Sequence, residues 1–189
     1  MQPFNIYLCG VGGQGIGLLS EILLRASDYA GYAAKAVDTH GLAQRGGIVI
    51  SQIRLGDEVF TPLIPERTAD LVIALERHEA LRGMQVALRD HGTLIYYNTV
   101  LQPLGVRLGT DPEISVDDID QTCAERGITA YSVSQPEIPD PRMQNIVVLA
   151  HLNRRGLIPG LNTEHIQQAM EDLLSDTMLT ANLQLLQAA

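Results

Sequence analysis

Two short stretches of this 189-residue chain carry residue types suited to holding an anion. The first is Gly10-Val11-Gly12-Gly13-Gln14-Gly15, where Gly10, Gly12 and Gly15 make a G-x-G-x-x-G. Glycines at this spacing turn the chain tightly, let a phosphate reach bare backbone, and let a helix pack close to a strand. The helix start behind such a turn presents unpaired N–H groups and a partial positive charge. The second stretch is THGLAQRGG, Thr39 to Gly47, with His40, Gln44 and Arg45 ahead of Gly46 and Gly47. A guanidinium next to two glycines offers charge-assisted donors beside exposed backbone N–H groups, which is an anion cradle. Plainer readings stand beside these. The glycine turn can be a tight crossover with no ligand, His40 a satisfied loop histidine, and Arg45 half of a surface ion pair. Taken together, in loops leaving strand ends, the two stretches favour a site, because ligands of open α/β sheets collect at that edge.

Two carboxylates are weaker candidates. Asp38 invites comparison with the acidic residue that holds a ribose in dinucleotide folds, although it lies beyond the usual ~20-residue distance from the first glycine. A loop carboxylate capping nearby N–H groups is the competing reading. Glu76 follows an apolar strand, where a site residue would sit, and equally suits a helix N-terminus. No constellation for catalysis accompanies them. The chain has no G-x-S-x-G elbow, no H-E-x-x-H, and no Lys-Ser/Thr after the glycine turn that would make a Walker A. Glycines, His and Arg without a nucleophile or an acid–base pair describe a binding surface, with any chemistry supplied by a cofactor held elsewhere.

The elements that must position these residues follow from periodicity. Phe4 to Cys9 reads as a buried strand, and Leu18, Leu19, Ile22, Leu23 and Ala26 recur at helical spacing after Gly15. Ala33–Asp38 reads as a second, parallel strand, and Ile48–Leu55 as a third, with Glu58–Leu63 as its hairpin partner. Pro62 and Pro65 bound an apolar loop, PLIP, that is either a partner contact or tucked under the domain's own edge. Asp70–Leu75 is a strand, followed by a helix to Arg89, a turn at Asp90-His91-Gly92 and a strand over Thr93–Tyr97. Leu104–Leu108 is a short strand. Ser115 and Asp118 cap a helix through Arg126, and Ile128–Val133 is the last strand. A proline-rich loop leads to helices over Met143–Arg155, Thr163–Leu174 and Met178–Leu186, with His151 on the apolar face of the first as a core histidine. This alternation predicts a single domain over 1–189, a three-layer α/β/α arrangement around a mostly parallel sheet with an antiparallel element, ending in a helical segment over 143–187.

Composition narrows the function classes. A formal charge of −9 argues against nonspecific nucleic-acid binding and anionic membranes. Cys9 and Cys123, far apart and outside any C-x-x-C, exclude an iron–sulfur cluster or zinc finger built from this chain alone, and both suit the core. With no signal-peptide pattern and no apolar run near ~18 residues, a cytoplasmic protein is expected.

The wording GVGGQGI at 10–16, THGLAQRGG at 39–47, SQIRLG at 51–56, PLIP at 62–65 and ADLVIALERHEALR at 69–82, with NIVVLAHLNRRGLIP at 145–159, resembles the gamma-type component of 2-oxoacid:ferredoxin oxidoreductases. HGLAQRGG and PLIP are most similar to its indolepyruvate branch, where the corresponding chain is the beta subunit. The resemblance implies a complex that oxidatively decarboxylates an arylpyruvate such as indolepyruvate, with coenzyme A, to an acyl-CoA, carbon dioxide and reduced ferredoxin. It implies that thiamine diphosphate and the iron–sulfur clusters sit on a larger partner subunit, and that this chain is inactive alone. Gly10, Gly12, Gly13, Gln14, Gly15, His40, Gln44, Arg45, Gly46 and Gly47 would line the interface associated with coenzyme A access. The rival readings are a stand-alone NAD(P)-binding oxidoreductase domain, favoured by the glycines and Asp38, and a scaffold that binds no small molecule.

Overall fold

The computed structural model describes residues 2–39, 47–101, 106, 108–110, 112–138 and 140–188. His40, Gln44, Arg45, Gly46 and most of the segment read as a strand over 104–108 lie outside the described residues. The strands are β1 (Phe4–Val11), β2 (Ala34–Thr39), β3 (Ile48–Leu55), β4 (Ala69–Ala74), β5 (Leu88–Tyr97) and β6 (Thr129–Val133). They form one sheet in the order β2-β3-β1-β4-β5-β6, with β1, β4, β5 and β6 parallel and β3 antiparallel to both of its neighbours. The described helices are α1 (Ile16–Tyr29), α2 (Arg77–Val86), α3 (Val116–Arg126), α4 (Gln144–Arg154), α5 (Thr163–Leu173) and α6 (Asp176–Ala188). α1, α4, α5 and α6 lie on one side of the sheet, α2 and α3 on the other, so the three-layer arrangement holds.

Strands buried on both faces explain the unbroken apolar runs. In β1, Ile6 and Leu8 enter the core under α1, while Tyr7 and Cys9 enter the one under α2. Leu71 and Ile73 of β4 join the first core, Val72 and Ala74 the second. The helices answer in kind. Leu19, Ile22, Leu23 and Ala26 of α1 are fully buried on one side, as are Ala80 and Met84 of α2 on the other. Ser115 and Asp118 form the capping box expected for α3, and Gly127 ends it in the left-handed conformation.

Several local expectations are corrected. β2 does not pair with β1; it is an edge strand paired antiparallel to β3, which inserts between the two. Glu58–Leu63 forms no strand. Prolines 62 and 65 remove donors, and the Arg54 guanidinium takes the carbonyls of Thr61 and Leu63, both at 3.3 Å. α2 stops at Val86, because Leu88 already pairs with Ala69. The stretch read as a turn at Asp90-His91-Gly92 belongs to β5, at a register irregularity where His91 has φ 57°.

Candidate functional site

β1 turns outward at its C-terminal end on its own backbone, Gln14 N–H donating to the Val11 carbonyl at 3.1 Å. Gly10 must lack a side chain here, since a Cβ would lie 2.9 Å from Gln14 Oε1 and 3.0 Å from Ile16 Cδ1. Gly15 caps α1 in the left-handed conformation, φ 78°, with no side-chain cap, and its carbonyl takes Asn145 Nδ2 at 3.2 Å. Gly13, φ 100°, stands at the surface with open space where a Cβ would go.

The two glycine stretches meet. Gly12 N–H donates to the Gly47 carbonyl at 2.8 Å, placing the end of THGLAQRGG against the middle of the glycine turn. The pairing of Val11 with Ile48 makes this contact the direct continuation of the β1–β3 ladder.

Gln14 is 5 % exposed, and its carboxamide ties three elements together. Oε1 accepts from Val11 N–H at 2.8 Å; Nε2 donates to the Leu75 carbonyl at 2.5 Å and to Gln144 Oε1 at 3.2 Å. β1 and β4 send their helices to opposite sides of the sheet, so the gap between their ends is the switch point where nucleotides bind in open α/β folds. Here a glutamine side chain fills it.

Asp38 lies on the sheet face under α1, where Ser20 Oγ donates to Oδ1 at 3.4 Å and bonds Ser51 Oγ at 2.7 Å. Glu76, 0 % exposed, is the N-cap of α2, the second of its two readings, and accepts Glu79 N–H at 3.0 Å. Its Oε1 takes His78 Nδ1–H at 2.8 Å and Leu101 N–H at 3.3 Å, while His78 Nε2 accepts Ile114 N–H at 3.2 Å. Arg77 bonds Asn98 Oδ1 and the Ile114 carbonyl. Three consecutive residues thus hold both ends of the 99–114 segment against the sheet.

The remaining titratable groups near β1 are structural. Burial pushes the Cys9 thiol well up, and it donates to the Glu79 carbonyl at 3.2 Å. Burial, then the neighbouring Cys9 and Glu79, push Tyr7 up to about 12. Burial raises Glu79 against the opposing pull of Arg82, 3.2 Å away. His151 is half-buried and accepts from Arg155 at 2.8 Å, with burial and the two nearby arginines lowering its pKa. Among the described residues no three His, Cys, Asp or Glu side chains converge as metal ligands. No described helix is long and apolar enough to cross a membrane.

Two cavities flank the turn. One, about 460 Å³ and mostly apolar, lies where α1, α4 and α6 begin, lined by Gly13, Gly15, Leu18, Met143, Asn145 and Met178 among others. The other, about 320 Å³, opens at the ends of β5 and β6 between Asn98, Thr99, Gln135 and Gln144. Gln144 and Asn145, which hold the turn from α4, were not read from sequence as site residues. The available signal was a polar pair at the head of the apolar run IVVLA.

The molecule is an α/β domain with a glycine turn at the sheet's carboxyl edge. Its particular kind follows from comparison with known proteins. Residues 5–189 match the family model described as pyruvate ferredoxin/flavodoxin oxidoreductase. The chain is 35% identical, over 96% of its length and 91% of the relative's, to the indolepyruvate oxidoreductase subunit IorB of Archaeoglobus fulgidus. Its fold is similar to that of the keto/oxoacid ferredoxin oxidoreductase gamma subunit from Geobacter sulfurreducens, with TM-score 0.64, 19% identity, and coverage of 97% of this chain and 94% of that one. It is also similar to 2-oxoglutarate:ferredoxin oxidoreductase from Magnetococcus marinus, solved with 2-oxoglutarate, coenzyme A and succinyl-CoA (TM-score 0.73, 19% identity), covering 99% of this chain and 30% of that longer one. The chain belongs to the pyruvate ferredoxin/flavodoxin oxidoreductase family, and the resemblance carried by its motifs is borne out.

Proposed function

We propose that this chain is the small subunit of an indolepyruvate-type 2-oxoacid:ferredoxin oxidoreductase and that its joined glycine loops face coenzyme A at the interface with a larger subunit. The observation that carries this reading is the Gly12–Gly47 hydrogen bond. It sets the bare backbone of the glycine turn against Gly47, the last residue of THGLAQRGG, a surface fit for phosphate or pyrophosphate. Thiamine diphosphate and the iron–sulfur clusters are assigned to the larger subunit, in keeping with a sequence that has only two, widely separated cysteines. The relatives named as indolepyruvate oxidoreductase subunits support the substrate class, and the neighbour solved with coenzyme A supports the ligand.

Two observations weigh against the dinucleotide reading. Gln14 fills the crevice a nucleotide would enter, and Asp38 is bonded to Ser20 beneath α1. The test is Arg45→Ala in the assembled enzyme. A lost charge-assisted hydrogen bond of about 2 kcal/mol raises the coenzyme A KM roughly 30-fold while the 2-oxoacid KM stays unchanged. An unchanged coenzyme A KM refutes the assignment.

A further inference from the structure

One motif singled out in the sequence has no part in the site. Of the loop PLIP, Ile64 packs inward on the core under α2, while Leu63 is 58 % exposed and the nearby Phe60 is 89 % exposed. This is not a slack loop. Arg54 holds the carbonyls of Thr61 and Leu63, Ile64 N–H donates to Gln52 Oε1 at 2.7 Å, and Thr68 Oγ donates to the Pro65 carbonyl at 2.8 Å. Two prolines stiffen it further. Two large apolar side chains are therefore displayed in a fixed geometry, which lowers the ordering cost of binding. A buried aromatic anchor is also what dominates interface energy.

The display continues along the sheet. α2 and α3 cover β1, β4, β5 and β6 on this side, while the 57–68 loop bonds Gln52 and Arg54 of β3. Alternation and register put Val37, Thr39 and Ile48 on that same face, with Ile48 43 % exposed, next to Ile50, which packs on the core under α2. At one end the face reaches Gly47 and the glycine turn; at the other it reaches Phe60 and Leu63.

We propose that this open face of β2 and β3, ending in the Phe60–Leu63 knob, is the surface on which the larger chain of the oxidoreductase docks. The inference rests on the function proposed above. Continuity with the glycine turn favours that occupant over a second copy. Phe60 and Leu63 together offer only about 300 Å², far short of the ~800 Å² per partner of a stable interface. β3 spans roughly 26 Å at ~3.3 Å per residue, so knob and strand face together approach that size only for a partner lying along the whole strand. Such a partner arrives at the glycine turn, where the unfinished site needs it. In the Magnetococcus marinus protein the matching fold is 30% of one polypeptide, so the remainder of that same polypeptide is more than twice its size.

The test uses the complex co-expressed with its larger subunit. The double variant Phe60→Lys, Leu63→Lys weakens assembly at least 50-fold by mass photometry, whereas Tyr29→Lys, on the α1 side and also exposed, stays within twofold. Hydrogen–deuterium exchange of the wild-type complex shows new protection over 48–54 and 57–64, a readout that needs no variant. Unchanged assembly of the double variant, or protection confined to the α1 side, overturns the proposal. A wild-type homodimer that the double variant dissolves also overturns it, by assigning the face to a second copy. Wild-type chain that forms no complex at all overturns both this surface and the function it rests on. Normal assembly with an unaltered coenzyme A KM in the Arg45 variant would count against the function alone.

Discussion

Gly15→Ala separates the reasons for glycine in the turn. Alanine at φ 78° costs about 1–2 kcal/mol for the left-handed conformation alone. The new Cβ would also sit 2.5 Å from Asn145 Nδ2 and 3.2 Å from its Cγ. Asn145 is 2 % exposed and cannot move without giving up two hydrogen bonds, to the Gly15 carbonyl and from Ile146 N–H. At about 1 kcal/mol each these bring the total to roughly 3–4 kcal/mol. Gly13→Ala is the control: φ is 100°, but nothing lies within 4 Å of its Cβ, so only the ~1–2 kcal/mol conformational cost remains. Urea unfolding of the two variants should therefore differ by about 2 kcal/mol, or about 4–8 °C in Tm for a chain of this length. Asn145→Ala closes a cycle, since in its background Gly15→Ala loses the collision and should cost only the conformational part. Equal losses at Gly13 and Gly15, or a cycle with no coupling, refute the claim that Asn145 packs the turn against α4.

Glu76→Gln should destabilise the chain by about 2–3 kcal/mol, because the carboxylate accepts on both oxygens and a carboxamide presents an N–H₂ to one of those donors. A flip of the His78 tautomer gives no relief, since Nε2–H would then face Ile114 N–H; faster exchange at the Leu101 and Glu79 amides reports the change, and wild-type protection there sinks the argument. Glu79 titrates above its unfolded 4.5 for reason of burial, so its contribution to stability is complete below about pH 4.5 and fades as pH rises through the raised value. Glu79→Gln should remove that fall, giving a flatter Tm-against-pH profile between pH 4 and 8 than the wild type; parallel profiles refute it.

Periodicity was enough for the layers because burial on both faces writes itself into β1 and β4 as unbroken apolar runs, and into α1 as a stripe. It could not reveal which strand lies next to which. Ala34–Thr39 has the same pattern whether it neighbours β1 or stands at the edge, and only the return of β3 through the middle decides it. The end of α2 was misplaced for a related reason: Leu88 suits a helix face as well as a strand, and its pairing with Ala69 is tertiary information. Glu76 was legible as a cap, since capping is local, but its grip on Leu101 and the grip of its partner His78 on Ile114 span 25 and 36 residues and leave no local trace.

Gln14 makes the point most sharply. As a polar residue inside a glycine turn it reads as ligand-facing, yet Gly10 leaves room for its side chain to fold back between β1 and β4. The glycines therefore serve two different surfaces. Gly10 and Gly15 make room inward, for Gln14 and Asn145, and Gly12 and Gly13 carry bare backbone outward to meet Gly47. A nucleotide-binding turn would need the inward space empty. On the function proposed above, filling it with a carboxamide leaves the rim beside β3, rather than the strand crevice, as the ligand-facing surface. The chain there ends its own machinery, and the open face of β3 leads on toward Phe60 and Leu63.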